Sequence, residues 1–263
     1  MSESPVLLEK KGHVAWVLLN RPEAENKINP ALIQALDEVF VELATDDAVR
    51  VVALAGVGPV FCAGADVGAL GSFESYETRA RFGQRMHRTS LVFQRIERLP
   101  KPVIAAVNGV AQAGGLELML CCDLAVAGRT ARFGDAHSPH GQLPGGGASI
   151  RLPRRIGATR AKYVLYMGAM IEAQTMLEWG AINEVVDDDR LLEATQALAD
   201  QLAAISPSSL ARLKRLIDDG LNQPLETALR LEILAAELNM GSDDMSEGLR
   251  ALQEGRTPRF TRG

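Results

Sequence analysis

Two glycine-containing loops are the first places in this sequence where the backbone itself could take part in chemistry. One loop spans residues 61–66 and the other spans residues 108–117, and each follows an apolar run typical of a strand. Small residues let the backbone approach a ligand closely, and the first N–H groups of a helix point outward without partners. Two such N–H groups aimed at one point would form an oxyanion hole, which stabilises a developing enolate.

The same loops also fit a plainer interpretation, in which each is a tight connection from a strand to a helix and binds nothing. Neither loop has the spacing of the phosphate-binding GxGxxG or Walker motifs. Residue spacing alone therefore leaves both interpretations open.

Glu117 is the side chain in these loops best suited to acid–base chemistry. It lies inside the apolar run 116–122, and burying a carboxylate there is costly unless the group is paired or hydrogen-bonded. The position therefore indicates either a chemical role or a structural one, in which the carboxylate accepts hydrogen bonds from backbone N–H groups or pairs with an arginine.

The segments around these loops alternate between strands and helices, which predicts an α/β fold with a shared core. Helical spacing of apolar residues and the Asn29-Pro30 start signal predict a helix from residue 30. Further helices are expected over residues 76–98 and 115–121. Strands are predicted over residues 6–8, 14–19, 51–56, 102–107 and 124–127.

From about residue 190 onward the sequence predicts no further strands. We expect an α/β core over residues 1–200 and a helical C-terminal layer over residues 201–263. Apolar residues of this layer must be covered by the core or by another subunit; they include Leu231, Ile233, Leu234 and Leu238. The expected helices span residues 207–220, 225–240 and 242–255.

Composition excludes several classes of function. A net charge of −5 over 263 residues argues against a broad nucleic-acid or anionic-membrane surface. The apolar stretches are too short to span a membrane, and the acidic start of the chain does not resemble a signal peptide. Three cysteines, two of them adjacent, give no disulfide framework, so we expect a soluble protein of the reducing cytoplasm.

Other reactive residue types give weaker signals. No His, Cys and Asp residues have the spacing of a metal site, so no metal is expected. Cys62 lies beside the first loop but has no evident base partner, and a buried packing role is more frequent for such a thiol. His87 has the spacing of a helix-surface or cleft-lining residue.

A series of motifs, in this order along nearly the whole chain, resembles the enoyl-CoA hydratase/isomerase (crotonase) family. The resemblance implies a crotonase-type fold, a spiral of ββα turns with a C-terminal helical layer. It also implies a homotrimer or homohexamer in which residues 201–263 serve trimerisation. The family hosts several acyl-CoA reactions on one scaffold, so the fold alone does not give the reaction. The motifs lie at residues 20–26, 61–66, 101–109, 114–117, 122–123, 144–147, 151–153, 180–186 and 242–260.

The resemblance also implies roles for individual positions. The backbone N–H groups of Ala65 and Gly114 would hold the thioester oxygen, and Glu117 would face the reacting acyl carbons. Coenzyme A is part of the substrate, and no further cofactor is expected. The positions implied to bind substrate are Ala24, Ala63, Gly64, Asp66 and Gly115. Basic residues that could pair with the phosphates of coenzyme A are Arg21, Lys27, Arg256, Arg259 and Arg262.

One position departs from the family pattern. Hydratases that this chain resembles usually carry a second glutamate fourteen residues after the aspartate that here is Asp123, and that place is taken by His137. Histidine can accept or deliver a proton near neutral pH. His137 is therefore expected to act in acid–base chemistry, with pocket shaping or no role as alternatives. Asp135 or His140 could orient its ring, although ordinary polar loop residues are a more frequent finding.

These observations favour hydration of an α,β-unsaturated acyl-CoA through an enolate held by the two N–H groups. A second hypothesis is another acyl-CoA reaction, double-bond isomerisation or hydrolysis, that uses His137. A third is a non-catalytic acyl-CoA-binding protein. Glu117 speaks against the third hypothesis, and the loss of the second glutamate speaks for it.

Overall fold

The computed structural model describes residues 4–66 and 75–261. Its strands are β1 (Val6–Lys11), β2 (Val14–Leu19), β3 (Val51–Gly56), β4 (Val103–Val107), β5 (Val110–Gln112), β6 (Leu124–Gly128), β7 (Arg132–Gly134), β8 (Met170–Glu172) and β9 (Glu184–Val186). Its helices are α1 (Pro30–Thr45), α2 (Tyr76–Glu97), α3 (Gly114–Leu120), α4 (Ala148–Ile156), α5 (Ala158–Met167), α6 (Ala173–Glu178), α7 (Leu191–Ala203), α8 (Pro207–Gly220), α9 (Leu225–Met240) and α10 (Asp243–Glu254).

A six-stranded sheet in the order β1-β2-β3-β4-β6-β9 forms the centre of the fold. The β1–β2 hairpin is antiparallel and every other pair is parallel. Apolar side chains of β3 and β4 are buried on both faces, as in other parallel sheets covered by helices. Helix α7 packs on one face through Leu191, Ala199 and Ala203, and α1, α2 and α3 contribute to the larger cluster on the other face.

A second sheet of three short strands, β5-β7-β8, lies beside the first. The chain leaves the large sheet at β4, forms β5 and enters α3, and it repeats the step from β6 to β7. These are the expected ββα turns. The small sheet itself was not predicted, because each of its strands has only three residues and a period of two is not visible over that length.

Most predicted elements are confirmed. Helix α1 begins where expected, with the side chain of Asn29 accepting a hydrogen bond from the backbone N–H of Leu32 (2.8 Å). Ser206 and Ser242 cap α8 and α10 in the same way. Helices α4 to α7 were not predicted; the first of them contains Pro153, which sequence patterns associate with a helix end.

The C-terminal helices are joined to the core by a few polar contacts. Lys214 of α8 forms an ion pair with Asp123 (2.8 Å), and Arg50 donates a hydrogen bond to the carbonyl of Phe260 (2.8 Å). Neither α8 nor α9 has a fully buried side chain. None of the helices in the described residues is long and apolar enough to cross a membrane.

Candidate active site

The two glycine loops lie against each other at the ends of β3 and β4, because neighbouring parallel strands end at the same edge of the sheet. A Cβ built on Gly64 would lie 3.1 Å from the Cβ of Ala113 and 3.5 Å from the backbone nitrogen of Gly114. A Cβ built on Gly114 would lie 3.6 Å from the backbone nitrogen of Ala65. The two nitrogens that sequence reasoning singled out are therefore neighbours.

Backbone hydrogen bonds fix the direction of the Ala65 N–H group. The backbone N–H of Ile28 donates to the carbonyl of Gly64 (2.8 Å), and the carbonyl of Ile28 accepts from the N–H of Asp66 (2.9 Å). The N–H of Ala65, which lies between these two residues, takes no part in the pairing with Ile28. Among the described residues, neither Ala65 N nor Gly114 N has a hydrogen-bond acceptor. Both residues line one cavity of about 740 Å³, a size typical of small-molecule sites.

Ala113 holds the N-terminus of α3 in a strained conformation. Its φ of 49° and ψ of −115° belong to a region that alanine rarely adopts and glycine adopts freely. Its N–H donates to the carbonyl of Gly134 (3.0 Å), and its carbonyl accepts from Glu117 (3.0 Å). Sequence reasoning did not single out this residue; its only sequence signal is the two glycines that follow it.

Glu117 lies in the first turn of α3 and is 3% exposed. Its Oε1 accepts hydrogen bonds from the backbone N–H groups of Gly146 (2.7 Å) and Ala148 (3.1 Å), at the start of α4 where the helix dipole favours a carboxylate. A Cβ built on Gly146 would lie 2.6 Å from Oε2, so only glycine leaves room for the carboxyl group. Glu117 thus has the backbone contacts of a structural glutamate, and Oε2 remains for chemistry.

Burial raises the pKa of Glu117 above its ordinary value. The hydrogen bonds from Ala148 and Gly146 and the positive charge of His137 oppose this rise. Because the net shift is upward, the carboxyl group keeps a proton to higher pH than a solvent-exposed glutamate does.

His137 lines the same cavity as Glu117, and the carboxylate of Asp135 orients its ring. Asp135 is fully buried, and its Oδ1 lies 2.5 Å from His137 Nδ1. Its Oδ2 accepts a hydrogen bond from the backbone N–H of His137 (3.1 Å). With Nδ1 donating to the carboxylate, the lone pair of the neutral ring lies on Nε2, which has no partner among the described residues.

The pKa of His137 responds to opposing influences. Burial lowers it, but the hydrogen bond and charge of Asp135, together with the charge of Glu117, outweigh burial and raise the pKa above the ordinary histidine value. The two side chains also influence each other: the charge of Glu117 raises the pKa of His137, and the charge of His137 lowers the pKa of Glu117.

Three other candidates differ from this pair. His140 is exposed and reaches the cavity edge, and only its backbone is joined to His137 (3.0 Å); Asp135 is the residue that orients the ring. Cys62 is fully buried, and burial raises its pKa to about 12, so it remains a thiol. His87 is exposed and does not line the cavity.

The remaining predicted binding positions are not among the residues that line the cavity. Asp66 pairs with Arg21 (3.2 Å), and the backbone of Ala63 donates to Glu25 (3.1 Å). A Cβ built on Gly115 would lie 2.0 Å from the carbonyl oxygen of Cys62; this glycine is needed for close packing of α3. The contacts of these positions and of Ala24 with a substrate stay predictions.

The basic residues proposed for coenzyme A phosphates have varied surroundings. Lys27 pairs with Glu25 (2.6 Å), and Arg256 pairs with Glu247 (2.6 Å). Within the described residues the side chain of Arg259 forms no ion pair, although its backbone N–H donates to Glu247 (2.8 Å). Arg262 lies outside the described residues.

Known proteins resemble this chain over nearly its full length. Residues 9–263 match the model of the family described as enoyl-CoA hydratase/isomerase. A short-chain-enoyl-CoA hydratase of Clostridium acetobutylicum is 35% identical, with 97% of each chain covered. A 1,2-epoxyphenylacetyl-CoA isomerase of Escherichia coli is 36% identical, with 94% of this chain and 95% of the relative covered.

Solved structures agree with the sequence comparison. The crystal structure of an enoyl-CoA hydratase from Bacillus anthracis superimposes with a TM-score of 0.94 at 34% identity, covering 98% of this chain and all of that one. The agreement includes the spiral of ββα turns and the C-terminal helices, so the predicted crotonase-type fold is confirmed. The chain belongs to the enoyl-CoA hydratase/isomerase family.

Proposed function

We propose that this protein adds water to the double bond of an α,β-unsaturated acyl-CoA thioester. The observation that carries the proposal is one cavity that brings together two unpaired backbone N–H groups, Glu117 and an oriented histidine. Family membership supports it, as do relatives with hydratase names, including the short-chain-enoyl-CoA hydratase and a crotonyl-CoA hydratase of Syntrophomonas wolfei.

In the proposed reaction the thioester oxygen accepts hydrogen bonds from Ala65 N and Gly114 N. Negative charge moves onto that oxygen when water attacks the β-carbon, and donors already in place stabilise it without reorganisation. Removal of one such donor typically costs about 10²–10³ in turnover.

His137 and Glu117 divide the proton transfers. Neutral His137 accepts a proton at Nε2 from the attacking water, and the protonated carboxyl of Glu117 delivers one to the α-carbon. Asp135 is a positioning residue, because it fixes the tautomer that leaves Nε2 free. After release of the hydroxyacyl product, the proton on His137 passes to Glu117 and restores the starting state.

We propose that no cofactor beyond the substrate's own coenzyme A takes part, since addition of water transfers protons and no electrons. The coenzyme A moiety would leave the cavity past Ala24, Ala63 and Asp66. Support for this path comes from Ala65, which is exposed and lies between Gly64 and Asp66 at the cavity wall.

The function is tested with purified protein and a panel of enoyl-CoAs of increasing chain length. We expect loss of the absorbance of the conjugated thioester and a product heavier by one water. Absorbance loss without a mass change would indicate isomerisation instead. Tight binding without any reaction would indicate an acyl-CoA-binding protein.

We also propose that the protein is a homotrimer or homohexamer and that residues 201–263 form its trimerisation region. Support comes from helices α8 and α9, whose large apolar side chains face outward in the single chain. Light scattering on the purified protein should give three or six times the chain mass of 28.3 kDa. Exposed large apolar side chains of the two helices are Leu213, Ile217, Leu225, Leu229, Leu231, Ile233, Leu234, Leu238 and Met240, and Leu221 lies exposed between them.

A further inference from the structure

The cavity wall built by α1 and α2 carries excess positive charge. Arg88 and Arg95 of α2 share the carboxylate of Asp37, each at 2.7 Å, and Arg88 also donates a hydrogen bond to Gln34 (3.1 Å). One carboxylate therefore serves two guanidinium groups. Arg88 and Gln34 both line the cavity.

Arg85 also lines this wall. It is half-buried, and no described residue forms a hydrogen bond or ion pair with its guanidinium group. Phe82 and Thr89, three residues before it and four after it, line the cavity beside it and lie on the same helix face. A half-buried guanidinium presents five N–H donors and a fixed positive charge to the cavity, which favours a ligand group of negative charge.

Arg85 lines the part of the cavity next to Met86. Next to it on α2, Met86 packs at Gly145, where a built Cβ would lie 2.4 Å from the methionine Cε. A Cβ built on the next residue, Gly146, would lie 2.6 Å from Glu117 Oε2. The charges that act on the pKa of His137 are those of Asp135 and Glu117. Since Glu117 and His137 are the groups proposed to act on the reacting carbons, the Arg85 guanidinium is left to interact with another part of the ligand.

We propose that Arg85 binds a carboxylate on the acyl group, so that the preferred substrate is an enoyl-CoA whose acyl chain carries a second, free carboxylate. This inference rests on the proposed function. A guanidinium binds a carboxylate through two parallel N–H···O bonds, which gives geometric selectivity as well as attraction. Ile28, Ile33 and Phe82 provide apolar cavity surface for the carbons between the thioester and the carboxylate.

The experiment compares kcat/KM for neutral enoyl-CoAs and for enoyl-CoAs of matched length with a terminal carboxylate. The wild type should prefer carboxylated substrates at one or two chain lengths. Arg85→Met should lower the ratio of carboxylated to neutral kcat/KM roughly 10–100-fold, the effect of losing a hydrogen bond to a charged group. Arg85→Lys, which keeps the charge but not the fork, should retain part of the ratio.

Arg81→Met is the matched control, because Arg81 lies on the same helix, is 74% exposed in its side chain and pairs with Glu77. It removes the same charge outside the cavity and should leave the ratio unchanged. A wild type without preference for carboxylated substrates would overturn the proposal. So would an Arg85→Met variant that loses equal kcat/KM on both classes, which would assign Arg85 to the coenzyme A phosphates.

A binding measurement separates this proposal from the proposed function. Saturated acyl-CoAs with and without the terminal carboxylate cannot be hydrated, and calorimetry gives their Kd values directly. A carboxylate preference that disappears in Arg85→Met would support the Arg85 site even if no substrate is hydrated. Equal Kd values for the two thioesters in the wild type would overturn it even if hydration occurs.

Discussion

The two halves of the candidate active site are held in place by different means. The N–H groups of Ala65 and Gly114 are positioned by backbone alone, through bonds such as Ile28 N to Gly64 O (2.8 Å). Glu117 and His137 are positioned through their side chains, by the start of α4 and by a buried aspartate.

This difference determines what each half tolerates. The backbone half should tolerate many side-chain substitutions, because nearly every residue type has a backbone N–H group. It should not tolerate substitutions that change the backbone φ or that add atoms where the two loops are in close contact. The side-chain half should depend on exact chemical groups, since proton transfer needs a particular oxygen or nitrogen with a suitable pKa. The following variants test that distinction, from the largest expected effect to the smallest.

Glu117→Gln should have the largest effect. The amide keeps an oxygen that can accept from Gly146 and Ala148, so the fold and acyl-CoA affinity should change little. Proton delivery to the α-carbon is lost, and turnover should fall by roughly 10²–10⁴. Enoyl-CoA turnover and calorimetry with a saturated acyl-CoA measure the two quantities. An unchanged rate would remove Glu117 from the mechanism.

Gly146→Ala should come next, because it moves the same carboxyl group without changing it. The added Cβ would lie 2.6 Å from Glu117 Oε2 and 2.9 Å from Phe93 Cε2, so the carboxyl group must shift. A misplacement of about 1 Å can cost on the order of 10² in turnover. Gly83→Ala is the control, since a Cβ there meets nothing within 4 Å. Equal rates in both variants would show that Oε2 needs no exact position.

Asp135→Asn tests the orientation and the charge acting on His137. Without the carboxylate the ring loses its fixed tautomer, and turnover should fall by about 10–100-fold. The hydrogen bond and charge that raise the pKa of His137 are also lost, so that pKa should fall. Neutral His137 would then persist to lower pH, and the acid limb of the kcat/KM profile should move to lower pH.

Glu117 and His140 are the other titratable groups that line the cavity near His137, and both are unchanged in this variant. Asp189→Asn is the control, because Asp189 is exposed in the turn before α7. An acid limb that stays in place in Asp135→Asn would show that His137 does not set it.

Sequence patterns predicted the backbone half of the site better than the side-chain half. The strands before the loops are apolar on both faces, and the glycines at positions 64 and 114 mark close approach, so the loop positions follow from local sequence. The family resemblance then implied that Ala65 and Gly114 are the donors, which stays a prediction. Their convergence follows from β3 and β4 being parallel neighbours and from the backbone hydrogen bonds that Ile28 and Ala113 make.

The side-chain half could not be predicted to the same depth. Asp135 is two residues from His137, and nothing in the sequence distinguishes a buried orienting carboxylate from an exposed loop residue. The contact of Glu117 with Gly146 and Ala148 joins residues about thirty positions apart in the chain, and it depends on helix α4, which sequence patterns did not predict. The strain at Ala113 was also missed, because alanine gives no sign of a positive φ.

Ala113→Gly should have the smallest effect and the opposite sign. Relief of the strained φ of 49° should stabilise the fold by about 1–3 kcal/mol. The greater entropy of glycine in the unfolded chain offsets about 0.5–1 kcal/mol of that gain, and the lost methyl offsets about 0.8 kcal/mol more. Together these contributions give between about −0.8 and +1.7 kcal/mol, so the expected change is a rise in the free energy of unfolding of about 0.5 kcal/mol, near the middle of that range. Gly114 N stays in place, so turnover should be nearly unchanged.

Urea denaturation of Ala113→Gly and Ala106→Gly makes the comparison direct. Ala106 is fully buried in β4 and is not among the residues with positive φ, so the same substitution there removes a methyl and adds entropy without relieving strain. It should lower the free energy of unfolding by about 1–2 kcal/mol. Opposite signs at the two positions would show that the backbone half of the site stores strain to aim its N–H group. Equal decreases in the free energy of unfolding at the two positions would show that the positive φ of Ala113 is not strained. The direction of the Gly114 N–H group would then depend on the surrounding hydrogen bonds alone.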